Sequence, residues 1–380
     1  MSVFHTLIDQ SETVAVLERA LVAARDSSDE SQDMTHAWLF TGPPGSGRSN
    51  AALAFAAALV CTNNGCGECV DCRTALTGSH ADVELIQTEG LSIKIDEIRE
   101  LITRAAWTPS VANYRVVVME DADRLTESAA NALLKAIEEP SSRTIWLLCA
   151  PTITDVLPTI KSRTRNLTLR TPSASAVSQL LQSEGISLNL ANFAAAASQG
   201  HIGRARYLAR DQAARDTRND IMKLPTTIVD VATAFSAAAR LVDAAKSQAE
   251  RDAEAKNDRE LVALKEAWGQ QGTKMAVGGA KAVKELEKEQ KSRQTRMVRD
   301  YLDRALLDIA TLYRDVLLVQ AESTDELINI DLVDVVQTMA SQSTSEKTLA
   351  KIEIIMKTRA NLLLNAAPLL VIEAMMVQLR

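Results

Sequence analysis

The sequence predicts a parallel α/β sheet domain, then a small helical domain and an all-helical third domain. Three observations carry the prediction. Over residues 1–170, short β-rich runs alternate with helix-period segments, the pattern that gives a parallel sheet covered by helices. Residues 171–222 hold only short helical stretches, and beyond Lys223 every segment reads as helix. Composition agrees, since 46% of residues are apolar, only 3% are aromatic, and Ala, Leu and Val are frequent. At 380 residues the chain has room for two or three domains of about 100–200 residues each.

Taken in order, the strand candidates are WLFTG, VELIQ, RVVVM, TIWLLC and NLTL. Between them, residues 51–60, 93–105 and 128–139 have the length and period of helices, and Pro140 ends the third. Segments near 174–183, 188–198 and 202–211 make up the small helical domain. In the third domain, residues 249–294 are rich in Lys, Glu, Asp and Ala and are broken by GQQGTKMAVGG. They read as a charged helical insertion with a solvated face, or as a coiled-coil contact. The more apolar stretches 296–321 and 349–379 are expected to pack in a bundle or an oligomer interface.

The net charge of -7 and a pI near 5.4 exclude a global basic field, so nucleic acid would be met through local basic clusters or backbone amides. The N-terminus lacks the basic start and apolar run of a secretory signal. The longest apolar run, residues 51–61, is about half of the roughly 20 residues a membrane span needs. The expectation is a cytoplasmic protein with no membrane partner.

The loop TGPPGSGRS fits a phosphate-binding loop in the context that matters, after a strand and before a helix. Gly42, Gly45 and Gly47 allow a tight turn whose N–H groups point inward, and the helix N-terminus adds partial positive charge for phosphate. Ser49 is placed as a magnesium ligand. Arg48 stands where such loops carry lysine, a planar fork in place of a compact ammonium. VVVMEDAD reads as the second half of the site, with Glu120 toward the metal and Asp121 toward the attacking water, the reverse of the usual order. The alternative is a solvated strand end. Cys61, Cys66, Cys69 and Cys72, spaced CxxxxCxxCxxC, can close a tetrahedral zinc site with no open position, which would be structural. Cys149 is expected in the core. His5, His36, His80 and His201 share no ligand or triad spacing. The cluster KSRTRNLTLR lies after a strand, either as a solvated loop or with an arginine able to reach a neighbour.

These residues resemble a known family. HAWLFTGPPGSGRS, the four-cysteine insertion, GSHADV with SIKIDEIREL, VVVMEDADRLTESAANALLKAIEEP and LPTIKSRT occur in order as in the clamp-loader branch of the AAA+ ATPases, and within it as in the delta-prime subunits of bacterial DNA polymerase III. The resemblance covers about residues 1–215. It implies an AAA+ domain over 1–170 with a zinc-binding insertion at 61–72, a lid over 171–222 and a helical collar over 223–380. It also implies a DNA polymerase III component that helps load the sliding clamp on primed DNA, with gamma/tau and delta subunits, the clamp and primer-template DNA as partners. Arg163, in Ser162-Arg163-Thr164, matches the family's SRC motif, whose arginine serves a neighbour's ATP; Thr164 replaces the cysteine. The family's second sensor, where active subunits carry arginine, falls in SQGHIGRAR near Gly203, with Arg204 adjacent; with Gly203 aligned, a γ-phosphate contact is absent. Arg48, the Glu120–Asp121 order and Gly203 together favour a subunit that does not turn over ATP, with ATP and Mg2+ possible but doubtful ligands of its own loop. The alternative is a gamma/tau-type motor with an atypical loop.

Overall fold

The five strand candidates form one sheet in the computed structural model, which describes residues 2–25, 33–88, 92–141, 143–267, 279–364 and 366–380. They are β1 (Ala37–Thr41), β2 (Val83–Ile86), β3 (Arg115–Met119), β4 (Thr144–Ala150) and β5 (Arg165–Thr168). The order is β2-β3-β4-β1-β5 and every pairing is parallel. In this order β4 lies between the strand that feeds the loop and the strand that feeds the carboxylates.

Two compact units make up the chain, Met1–Ala209 and Arg210–Arg380. Within the first, α1 (Ser11–Ala23), α2 (Arg48–Val60) and α3 (Val70–Leu76) share an apolar layer with Trp38 and Phe40 on one face of the sheet. On the other face α4 (Ile95–Ala105), α5 (Glu127–Glu138) and α6 (Pro158–Lys161) pack with Ala37 and Leu39. The alternation follows from the two-residue period of a strand, and covering both faces explains why β1, β3 and β4 are buried throughout. Helix α2 is buried at every position from Ala51 to Val60. That is why its sequence shows no amphipathic period. Trp38 and Phe55 meet edge to face at 5.3 Å and 71°, worth about 0.5–1.5 kcal/mol beyond area burial.

The GSHADV stretch has a structural purpose. Fully buried Asp82 accepts N–H bonds from Ser110 (2.6 Å), Val111 and Ala112 (both 2.8 Å), fixing the loop into β3. Burial raises its pKa, but the three donors outweigh burial and hold the carboxyl below its ordinary range. Closing this unit are α7 (Ala174–Ser183), α8 (Leu188–Ser198) and α9 (Ile202–Arg210).

The second unit is helical: α10 (Gln212–Lys223), α11 (Val231–Ala267), α12 (Gly279–Gln320), α13 (Val333–Gln342), α14 (Ser345–Leu363) and α15 (Pro368–Gln378). Leu241, Leu306, Ile309, Ile355 and Met375 lie in its core. The charged stretch at 249–294 proves continuous with this bundle: α11 and α12 run from the core into it. Buried Ala249 and Ala253, and Arg293 bonded to Asn257 (2.6 Å) and Glu260, zip the two helices together. GQQGTKMAVGG lies outside the described residues except for Gly279. Among the described residues no helix is long and apolar enough to cross a membrane.

Candidate functional site

The loop of residues 42–47 joins the buried end of β1 to α2, at the carboxyl edge of the sheet where open α/β folds bind ligands. Gly45 and Gly47 both have φ 89, the left-handed region open to glycine. Gly47 is the N-cap of α2, so the helix begins at Arg48 with Ser49 one residue inside. The Gly42 N–H donates to Pro151 O at 3.1 Å, tying the loop to the end of β4.

Arg48 is turned onto its own loop. Its Nη1 donates to Gly42 O at 2.7 Å, and its Nε is buried with no hydrogen-bond partner. The Ser46 hydroxyl is likewise buried and unpartnered. A second residue closes on the loop from the small helical group. A Cβ at Gly45 would stand 2.5 Å from the Cβ of His201, so only glycine lets the two backbones meet this closely. His201 is held at the start of α9 by the Arg204 N–H, which donates to Nδ1 at 3.3 Å. Gly200 before it has φ 83, and a Cβ there would come 2.2 Å from Thr171 Cγ2. A Cβ at Gly203 would meet the His201 ring at 3.4 Å, ordinary van der Waals contact.

Across β4, the end of β3 carries Glu120 and Asp121. The Glu120 N–H donates to Ile86 O at 3.0 Å, and Asp121 lies 3.9 Å from Arg124 Nε. Asp123 also belongs to this group. Burial first, then the Asp121 charge, push its pKa up, while Arg124 and Arg48 act against them. Its Oδ1 is buried and unpartnered. Cys149 is fully buried on β4, and burial pushes its thiol up. The structure therefore brings the loop, the carboxylates, Asp123 and His201 together. The sequence reading missed the last two. Asp123 stood in VVVMEDAD, whereas no local signal marks the approach of His201 to Gly45.

Arg163 lies elsewhere, between α6 and β5. It pairs through Nε with Glu138, and its Nη1 donates to Thr159 O (3.0 Å) and Ser162 Oγ (3.1 Å). Its side chain is 40% exposed.

The four cysteines form a second site at the far end of α2, about 20 Å from the loop for a thirteen-residue helix. Their sulfurs all lie within 4.8 Å of one another, so the set can hold a metal ion. Backbone N–H groups of Asn63, Cys69 and Cys72 donate to the sulfurs of Cys61, Cys66 and Cys69 at 3.2, 3.4 and 3.3 Å. Such donors favour thiolate. At Cys66 the N–H groups of Glu68 and Cys69 bring the pKa down to about 6, whereas burial pushes Cys72 up. Arg25 fastens the site by donating to Cys61 O (2.6 Å) and Ala58 O (3.2 Å) at the end of α2, where the helix dipole favours a cation.

Residues 18–173 match the family described as DNA polymerase III, delta subunit. A DNA polymerase III subunit delta' of Bacillus subtilis (strain 168) is 31% identical over 201 residues, 52% of this chain and 61% of that protein. Another, from Pseudomonas aeruginosa, is 37% identical over 147 residues, 37% of this chain and 45% of that protein. A DNA polymerase III subunit gamma/tau of Mycobacterium bovis is 33% identical over 172 residues, 44% of this chain and 28% of that protein. The chain thus spans at most 61% of the length of these relatives.

Proposed function

We propose, for a clamp-loader subunit of the delta-prime type, that the chain is the non-motor member of the replicative loader. It helps place the sliding clamp on primed DNA and gives Arg163 to the ATP site of a neighbouring gamma or tau subunit. The observation that carries this reading is the loop's occupation by its own chain. Arg48 is bonded to Gly42 O and His201 is packed on Gly45, while Arg163 stands exposed on another edge. An arginine committed to a loop carbonyl is poorly placed for phosphate, and a short Asp121 replaces the expected glutamate. If ATP and Mg2+ bind here, Gly42, Gly45, Gly47 and Arg48 would hold phosphate, Ser49 and Glu120 would serve the metal, and Asp121 would face the attacking water.

The proposal includes residues 1–170 as the AAA+ domain, 171–222 as lid and 223–380 as collar. Gamma/tau and delta subunits, the clamp and primer-template DNA are its partners, in the cytoplasm. Zinc suits the cysteine set. Thiolates about 2.3 Å from a tetrahedral ion lie roughly 3.8 Å apart, and the Cys61–Cys66 and Cys61–Cys69 sulfurs stand at 3.9 and 3.6 Å. With all four positions filled by protein, such an ion staples the knuckle to α2. The identity to a gamma/tau subunit supports the second reading, a motor with an atypical loop.

Reconstitution tests the proposal. The purified chain is expected to enter one complex with gamma/tau-type and delta-type subunits, and its omission should abolish clamp loading on primed circular DNA. Loading that proceeds unchanged without the chain would refute it.

A further inference from the structure

Arginine has five N–H donors: one on Nε and two on each terminal nitrogen. In Arg163 three are committed inside the chain. Nε faces Glu138, and Nη1 supplies Thr159 O at 3.0 Å and Ser162 Oγ at 3.1 Å. Nη2 has no protein partner among the described residues, and the side chain is 40% exposed.

We propose that Glu138, with Thr159 and Ser162, presets Arg163 so that its Nη2 edge faces outward, making Glu138 a positioning residue for the finger. This rests on the reading of Arg163 as a donor to a neighbour's nucleotide. The supports are rigid at both ends. Glu138 is the last residue of α5, directly after fully buried Ile137, whose carbonyl accepts the His36 Nε2–H at 2.7 Å. On the other side, fully buried Ile160 anchors α6. The turn that follows is closed by the Arg163 N–H to Ile160 O (3.0 Å) and by the Thr164 hydroxyl to the same carbonyl (3.1 Å). That hydroxyl gives Thr164 a purpose where the resembling family has cysteine.

A long side chain fixed from two elements loses its rotamer freedom before the reaction, not during it. The Nη2 N–H groups then remain to donate to the oxygens of a phosphoryl group, from a planar guanidinium that lysine does not reproduce. Glu138 is half-exposed, so its ion pair serves orientation far more than stability.

A double-mutant cycle in the assembled loader tests this, with kcat and KM for ATP measured for Glu138→Gln, Arg163→Ala and the double variant. Glu138→Gln is expected to lower kcat about tenfold, the scale of a modest misplacement of a reacting group, with KM within about twofold and the melting temperature unchanged. In the Arg163→Ala background it should add nothing. Ser162→Ala, which leaves α5 untouched, should show a smaller loss with the same dependence on Arg163. An equal loss in both backgrounds, an unchanged kcat or a rise in kcat while Arg163→Ala remains slow would overturn the positioning role alone. If Arg163→Ala itself leaves turnover intact, the finger reading falls and takes this inference with it.

Discussion

Replacing Arg163 by alanine should slow ATP turnover by the assembled loader about 10³-fold or more, the lower end of what such arginines contribute in related NTPases. The residue is half-exposed and so is its ion-pair partner Glu138, a pairing worth little stability, so folding and assembly should survive. The loss should appear in kcat, because the guanidinium meets charge that develops in the transition state. Lysine at the same position keeps the charge but not the fork, and should recover only a small part. Steady-state turnover with clamp and primed DNA makes the comparison, and full turnover by the alanine variant would remove Arg163 from the mechanism.

Cys72→Ser should empty the cysteine site. About one zinc per chain is expected in the wild type and none in the variant, by elemental analysis of the purified protein. Structural zinc contributes about 10–16 kcal/mol of apparent binding energy in zinc-finger peptides. Even if only ~4 kcal/mol reaches this larger fold, the melting temperature should fall by about 8–16 °C. Other supports of the knuckle are α3, buried at Cys72 and Ala75 in the layer with α2, and hydrogen bonds at its start. Gly65 bonds back to the Val3 N–H at 2.8 Å, and Arg25 clamps the carbonyls around Cys61. Because the site lies at the opposite end of α2 from the loop, loader turnover at a temperature where the variant stays folded should change by less than about twofold. A wild-type protein free of metal would refute the assignment.

Much of the architecture was legible because its signals are local. Five β-rich runs became five parallel strands, since a strand buried on both faces reads as a continuous apolar run. The cysteines were legible from spacing alone, and the structure gathers all four sulfurs. Helices α1 and α3 were missed. The first sits in an N-terminal stretch read only for targeting signals, and the second starts inside the cysteine run, with the Cys69 sulfur accepting the Cys72 N–H.

The parts of the site that escaped are those made by long-range packing. Nothing near His201 in sequence says that Gly45 lies against it, because that contact spans the whole sheet domain. Nor could Arg48 alone reveal whether it faces outward to phosphate or inward to Gly42 O. The partnership of Glu138 with Arg163 joins the end of α5 to the turn after α6, and only the closed fold brings the two together.

The central claim is that this subunit's part in hydrolysis lies at a neighbour's site and not at its own loop. ATP turnover by the purified chain alone tests it most directly. The account predicts no turnover above background at saturating ATP and Mg2+, whether Ser49 is present or replaced by alanine. Measurable turnover that disappears in Ser49→Ala would contradict it and make the chain a motor.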